Sequence, residues 1–207
     1  MRNYIVFIFV FLSLTVFGQG TKLTTSEFNA FKQKVEKETQ SLTSIRTDFV
    51  QSKHLAFLSN DIESKGKMFL KSDGTLKWEY SSPNQYSVIF KNNTILINDN
   101  GKKSNVSGGS EVFKKISHLI SGSVSGKLFN DKEFDVVCFK EGEDIVAHLT
   151  PTNNTLKKYI KKVYLYFPKN ETTVSKVRLI EPSDDYTLIT FINKELNVKI
   201  DPNIFNN

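Results

Sequence analysis

The residues of this chain best suited to covalent chemistry are its one cysteine, Cys138, and its three histidines, His54, His118 and His148. Cys138 and His148 have the types of a thiol–imidazole pair. A reactive thiol needs an electropositive, partly exposed setting, and Cys138 lies inside an apolar strand pattern with Val136, Val137 and Phe139, so it reads as a packed thiol. Ser117-His118 with Asp135 has the residue types of a hydrolytic triad but no nucleophile-elbow sequence around the serine. The three histidines lack metal-ligand spacing. Glu141, Glu143 and Asp144 flank Gly142 in a turn-like stretch and read as solvated rather than as an acid/base pair. Gly108-Gly109 precedes a helical pattern without the rest of a phosphate-cradling loop. No catalytic residue, metal ligand or cofactor site is assigned, and the chain reads as a non-enzyme.

Binding is what remains, and composition allows it. The 207 residues are 39% hydrophobic and 24% charged with 10 Gly and 5 Pro, which excludes collagen-like, disulfide-scaffold and wholly disordered chains. The length suits a single domain with a substantial core. Arg2 followed by the apolar run Ile5 to Phe17 is too short to span a bilayer and reads as a secretory signal peptide. Residues 1–18 form that peptide, cut near Gly18 to Gly20, and residues 19–207 form one domain, exported and soluble. No cysteine stands near the cut to be acylated. The formal net charge is +6. Lysines are spread throughout and are densest at Lys157, Lys158, Lys161 and Lys162, around Tyr159 and Ile160. Export argues against nucleic acid, which leaves a solvated basic face or attraction to an anionic membrane surface.

The elements that must position any site are one helix, many strands and a helical interruption. Thr24 to Glu27 has the capping-box pattern, and Phe28, Phe31, Val35, Leu42 and Ile45 recur near one helical face. From Thr47 the pattern becomes that of strands. Gly66, Met68 and Leu70 alternate with Lys65, Lys67, Phe69 and Lys71, Leu76, Trp78 and Tyr80 alternate with Lys77 and Glu79, and Tyr86, Val88 and Phe90 follow Pro83. Asn92-Asn93 turns into Ile95 to Ile97, and Asp99-Asn100-Gly101 is a second hairpin signal. Further strands are expected over 134–139, 145–150, 159–167, 174–180 and 186–192, an antiparallel meander by their spacing.

Several strands are apolar on both faces, as where Tyr164 and Tyr166 interleave with Val163, Leu165 and Phe167. An exposed antiparallel sheet has one polar face, so the two expected helices must cover the second. The later one is expected over Glu111 to Ser121, with Val112, Phe113, Ile116, Leu119 and Ile120 as its apolar stripe. The fold class is mainly β (α+β): an open antiparallel sheet of about 10–11 strands with helices across its concave face.

Phe49-Val50-Gln51, Gly66 to Lys71, Trp78-Glu79-Tyr80-Ser81-Ser82-Pro83, Leu149-Thr150-Pro151 and Thr190-Phe191-Ile192-Asn193 occur in an order that resembles the LolA family of periplasmic outer-membrane lipoprotein carriers. The resemblance implies a half barrel lined with hydrophobic residues. It also implies a periplasmic carrier that takes acyl chains of lipoproteins from an inner-membrane ABC transporter towards an outer-membrane acceptor, with no cofactor. Such carriers often have an Arg and a Pro shortly before the Trp, with the Arg bonded to the lid. Here the stretch reads Lys71 to Thr75 without Arg, and Lys71 and Lys77 are the nearby cations.

The expected acyl-facing set is Leu76, Trp78, Val88, Phe90 and Leu96, under a lid of Val112, Ile116, Leu119 and Ile120. The expected partners are acylated lipoproteins, the transporter and the acceptor, with no nucleic acid, and the carrier is expected to be a monomer. A charge at Leu76 is expected to spare the fold and abolish acyl binding. An envelope lipid- or lipoprotein-sensing module on the same fold is the alternative function.

Overall fold

The structure is a computed structural model, and it describes residues 20–92, 94–107, 122, 129 and 132–206. The expected lid, Glu111 to Ser121 with Val112, Ile116, Leu119 and Ile120, and the expected signal peptide lie outside the described residues.

Helix α1 spans Thr25–Thr39. The capping box at its start is complete: the Thr24 hydroxyl accepts from the Glu27 N–H at 3.3 Å, and the Thr24 N–H donates to the Glu27 carboxylate at 2.8 Å. That backbone bond holds the Glu27 carboxyl below its usual range. The helix ends earlier than its apolar spacing suggests. Ile45 belongs instead to the first long strand, which begins at Ser44, because its alternation with Thr47 and Phe49 there buries all three.

Twelve strands form one antiparallel sheet. They are β1 (Thr21–Lys22), β2 (Ser44–His54), β3 (Ile62–Lys71), β4 (Leu76–Ser82), β5 (Tyr86–Lys91), β6 (Thr94–Asp99) and β7 (Lys102–Ser107), followed by β8 (Phe134–Glu141), β9 (Asp144–Pro151), β10 (Lys162–Phe167), β11 (Lys176–Ile180) and β12 (Tyr186–Leu196). The order is β1-β8-β9-β10-β11-β12-β2-β3-β4-β5-β6-β7. Two meanders, β2–β7 and β8–β12, are therefore joined where β12 pairs with β2. Tyr159 and Ile160 are not in β10 as expected. A short helix over Asn154–Lys157, capped by the Asn153 side chain, occupies that connection.

One face of the sheet, called inner here, holds most of the core. Over β8–β10, α1 lays Phe31 and Val35 against Cys138, Ala147, Leu149, Val163, Leu165 and Phe167. Over β2–β4 the inner face continues through Ile45, Phe49, Met68, Leu70, Leu76 and Trp78, and Phe191 of β12 packs against both clusters. The opposite, outer face is covered over β3, β5 and β6 by the C-terminal 3-10 helix Pro202–Phe205, which packs Phe205 on Phe69 and Ile89. The two expected helices were to cover the second face; this part of the outer face is covered by a terminal turn of 3-10 helix.

Candidate functional site

Strand register decides which of the expected groove residues act together. Leu76 pairs with Phe90 and Trp78 with Val88 across β4 and β5, and residues directly opposite in an antiparallel pair project to the same face. These four share the inner face. Leu96 does not: it pairs with Ile89, while Phe90 pairs with Ile95 and Val88 with Ile97. Leu96 therefore projects to the outer face, where it packs with Phe69, Ile89 and Phe205. Ile95 and Ile97 take its place on the inner face.

The inner face of the first meander is graded from one end to the other. At its base, Ile45, Leu70, Leu76 and Ile95 are buried. In the middle Trp78 and Val88 are buried and Ile97 is half-buried. Beyond them Tyr80, Tyr86 and Gln51 are half-buried. Phe90, and Ile189 and Phe191 across the β12–β2 join, are also half-buried on this face. The gradient makes an apolar face, called the trough here, that is mostly buried at the Leu76 end, where Phe90 is half-buried between Leu76 and Ile95, and increasingly accessible towards the other.

Aromatic packing shapes the middle of the trough. The Phe49 ring stacks on Trp78 with centroids 4.3 Å apart and meets Tyr80 edge-on at 5.3 Å. Phe191 meets Trp78 edge-on at 6.1 Å. Phe49, Tyr80, Phe191, Ile95 and Ile97 were not in the expected site. Their β pattern was visible, but their common face emerges only from the pairing of strands distant in sequence.

Few polar groups enter the trough. The Tyr80 hydroxyl donates to Gln51 Oε1 at 3.0 Å. Burial raises the Tyr80 pKa, against a smaller downward pull from Trp78 and Gln51, so the phenol is neutral. The Trp78 Nε1–H is buried and makes no hydrogen bond of acceptable geometry, although it lies close enough to the Tyr80 oxygen to favour the phenolate slightly. The cations near the place of the family's lid-contacting Arg are on the other side of the sheet. Lys71 pairs with Asp73 at 3.4 Å and Lys77 with Glu79 at 2.9 Å, and their strand positions alternate with inner-face Leu70 and Leu76.

Cys138 and His148 do not converge, and Ser117 and His118 of the other candidate set lie outside the described residues. Cys138 pairs in register with Ala147, so His148 projects to the opposite face. Burial pushes the Cys138 thiol up to about 12, far from thiolate chemistry. His148 is stacked on Phe139, edge-on to Tyr164, and contacts Glu141 at 3.1 Å. Glu143 is paired with Lys169. No cluster of His, Cys, Asp and Glu suited to a metal occurs among the described residues. The arrangement can bury apolar chains, and among the described residues Cys138 and His148 point to opposite faces.

Solved structures share this architecture at low sequence identity. An uncharacterized conserved protein from Thermus thermophilus matches with TM-score 0.54 at 5% identity, covering 87% of this chain and 93% of that one. The Pseudomonas aeruginosa MucA/MucB complex matches with TM-score 0.51 at 11% identity, over 86% of this chain and 61% of that one. A LolA-superfamily protein from Nitrosomonas europaea matches with TM-score 0.46 at 9% identity, over 85% and 97% respectively. No curated protein matches the chain. The model of the outer membrane lipoprotein carrier protein LolA matches residues 40–207, a span that includes β2 through the C-terminal 3-10 helix, and the chain belongs to that family.

Proposed function

We propose that this protein is a periplasmic carrier that holds the acyl chains of lipoproteins in the inner-face trough. In this reading residues 1–18 are a cleaved signal peptide, and the carrier receives cargo from an inner-membrane ABC transporter and passes it to an outer-membrane acceptor. The carrying observation is the graded apolar face from Leu76 and Phe90 through Trp78 and Ile97 to Tyr86, with few polar groups along it among the described residues. Each buried acyl methylene contributes about 0.8 kcal/mol, so such a face binds chains without directional contacts. The neutral Tyr80 phenol places no charge in their path. Trp78, Val88, Phe90, Ile97, Ile189 and Phe191 form the acyl-contacting set of this proposal, and Leu76 forms its floor.

The test is recovery of the processed protein from cells, native mass spectrometry of what it holds, and titration with a diacylated peptide followed by Trp78 emission. Trp78 is the one tryptophan, so the signal reports the trough alone. Acyl adducts and a saturable emission change are expected, with both lost in Ile97→Glu at only a small change in melting temperature. An adduct-free protein with no emission response refutes the carrier reading. Acyl binding without transfer to acceptor membranes favours the alternative, an envelope lipid- or lipoprotein-sensing module.

A further inference from the structure

Large apolar side chains exposed to solvent concentrate at one rim of the sheet. Among the described residues Phe57, Leu58, Ile62, Tyr159, Ile192 and Leu196 are the large exposed ones. Four of them, Phe57, Leu58, Ile62 and Tyr159, lie at the rim where β2 ends, β3 and β10 begin and β11 turns into β12. Phe57 is 79% exposed and Tyr159 50%. Scattered surface apolar residues need no explanation, but a contiguous group rimmed by charge marks an interaction site.

The rim is held by hydrogen bonds that present these side chains outward. The Ala56 N–H donates to Asp185 Oδ1 at 2.8 Å, and the Leu58 N–H donates to the Leu55 carbonyl at 2.9 Å. Asp61, closing the same loop, accepts from Ser52 at 2.6 Å and contacts His54 at 2.8 Å. The 182–185 turn continues to the next segment, where Asp184 pairs with Lys161. There Leu156 and Ile160 are buried at 1% exposure each, which leaves Lys157, Lys158 and Tyr159 all exposed between them.

The charges of the rim are asymmetric in their availability. Asp184 is ion-paired with Lys161, whereas the hydrogen bonds to Asp61 and Asp185 hold those carboxylates in place without neutralising them. Lys157 and Lys158 have no carboxylate partner among the described residues, and Lys162 lies over the Tyr164 ring at 5.7 Å. Apolar side chains at the tips of fastened loops beside unneutralised lysines match an anionic bilayer surface, where rings enter the interface and lysines meet headgroups. The accessible end of the trough, with Tyr80, Tyr86 and Gln51, opens at this rim.

We propose that the rim formed by Phe57, Leu58, Tyr159, Lys157 and Lys158 docks this protein reversibly on anionic phospholipid bilayers. The docking stands apart from what the trough carries. It brings the open end of the trough to the membrane plane.

The processed chain is floated with phosphatidylglycerol–phosphatidylethanolamine vesicles and with phosphatidylcholine vesicles. Binding to the first and not the second, weakened by salt, is expected. Phe57→Ser with Leu58→Ser should lower the partition at least about tenfold, by the apolar area withdrawn from the interface. Lys157→Gln with Lys158→Gln should lower it about thirtyfold, by the loss of two cations at the surface. All these side chains are exposed, and unchanged melting of the variants verifies the fold. Ile97→Glu should leave partition unchanged; if it abolishes partition, lipid uptake by the trough explains the binding and the rim proposal fails. No partition, or partition indifferent to both double variants, also overturns it. Retention on immobilised polyglutamate with no vesicle binding reassigns the rim to an acidic protein partner and overturns the membrane proposal.

Discussion

The Phe49 ring lies across the backbone of Gly66, its partner in register on β3. A Cβ at Gly66 would come within 2.0 Å of the Glu79 carbonyl oxygen and 2.6 Å of Phe49 Cζ. The absent side chain is what lets Phe49 lie flat beneath Trp78. Gly66→Ala should destabilise the protein by about 2 kcal/mol, as overpacking of a tight core does. It should also shift Trp78 emission, because the stacked ring must move. Denaturant melts and fluorescence of the variant measure both, and an unchanged midpoint would mean that the strands part cheaply there.

Leu76 and Ile97 should respond differently to a charge. Leu76 is 1% exposed at the buried end, packed with Leu70 and Phe90. Leu76→Glu should therefore cost several kcal/mol of fold stability whether or not ligand is bound. This reverses the expectation that an empty trough would hydrate the carboxylate. Ile97, half-buried towards the open side, should accept glutamate with a small change in melting. A Leu76→Glu protein as stable as wild type would put water at the base of the trough.

Stability should fall as pH drops below about 6.5, the ordinary histidine value, and His148 should carry part of the loss. Burial between Phe139 and Tyr164 lowers its pKa, outweighing the opposing effect of Glu141. A histidine that is harder to protonate when folded has its full stability above the unfolded pKa. That contribution declines as pH falls towards the folded value, where the unfolded chain takes up the proton first. The carboxylates held low by hydrogen bonds, Glu27, Asp73 and Asp185, act in a separate window. They add stability above their unfolded values and lose it as pH falls further. His148→Phe should flatten the first decline and leave the second, as urea midpoints across the pH range would show.

Cys138 should be inert to thiol reagents in the native protein. It is 2% exposed with its pKa pushed up to about 12 by burial, so modification requires opening of the β8–β9–α1 core. The rate of labelling by an aromatic disulfide reagent should track global unfolding as urea is added. Fast labelling in buffer would mean that this end of the sheet opens locally.

Much of this architecture was legible because its strands alternate cleanly and its turns carry Asn and Gly. The placement of Leu96 shows where reading by alternation alone failed. Side-chain parity across a hairpin depends on the number of turn residues, and the Lys91–Thr94 pair fixes Phe90 opposite Ile95. Asn92, with φ of +49°, is the signature of a tight two-residue hairpin. Carrying that register forward places Ile95 and Ile97 beside Phe90 and Val88. The end of α1 misled for another reason: Ile45 satisfies both a helical and a strand period, and pairing with Leu70 on β3 decides between them. The role of Phe191 was not recoverable locally at all, since its neighbours Phe49 and Trp78 come from the other meander.

That last join has a consequence for how the molecule comes into being. β2 opens the first meander, yet its partner β12 closes the second; Arg46 and Glu195, paired across them, are 149 residues apart in sequence. Contacts so distant form late and make folding slow. Until the final strand is present, β2 keeps one edge unpaired and Phe49 and Trp78 lack their cover from Phe191. A chain emerging N-terminus first would thus remain without its central seam until β12 has been made. The seam delays closure of the trough and also exposes a sticky strand edge in the interim, so newly made chains should be the form most dependent on chaperones and most prone to aggregate.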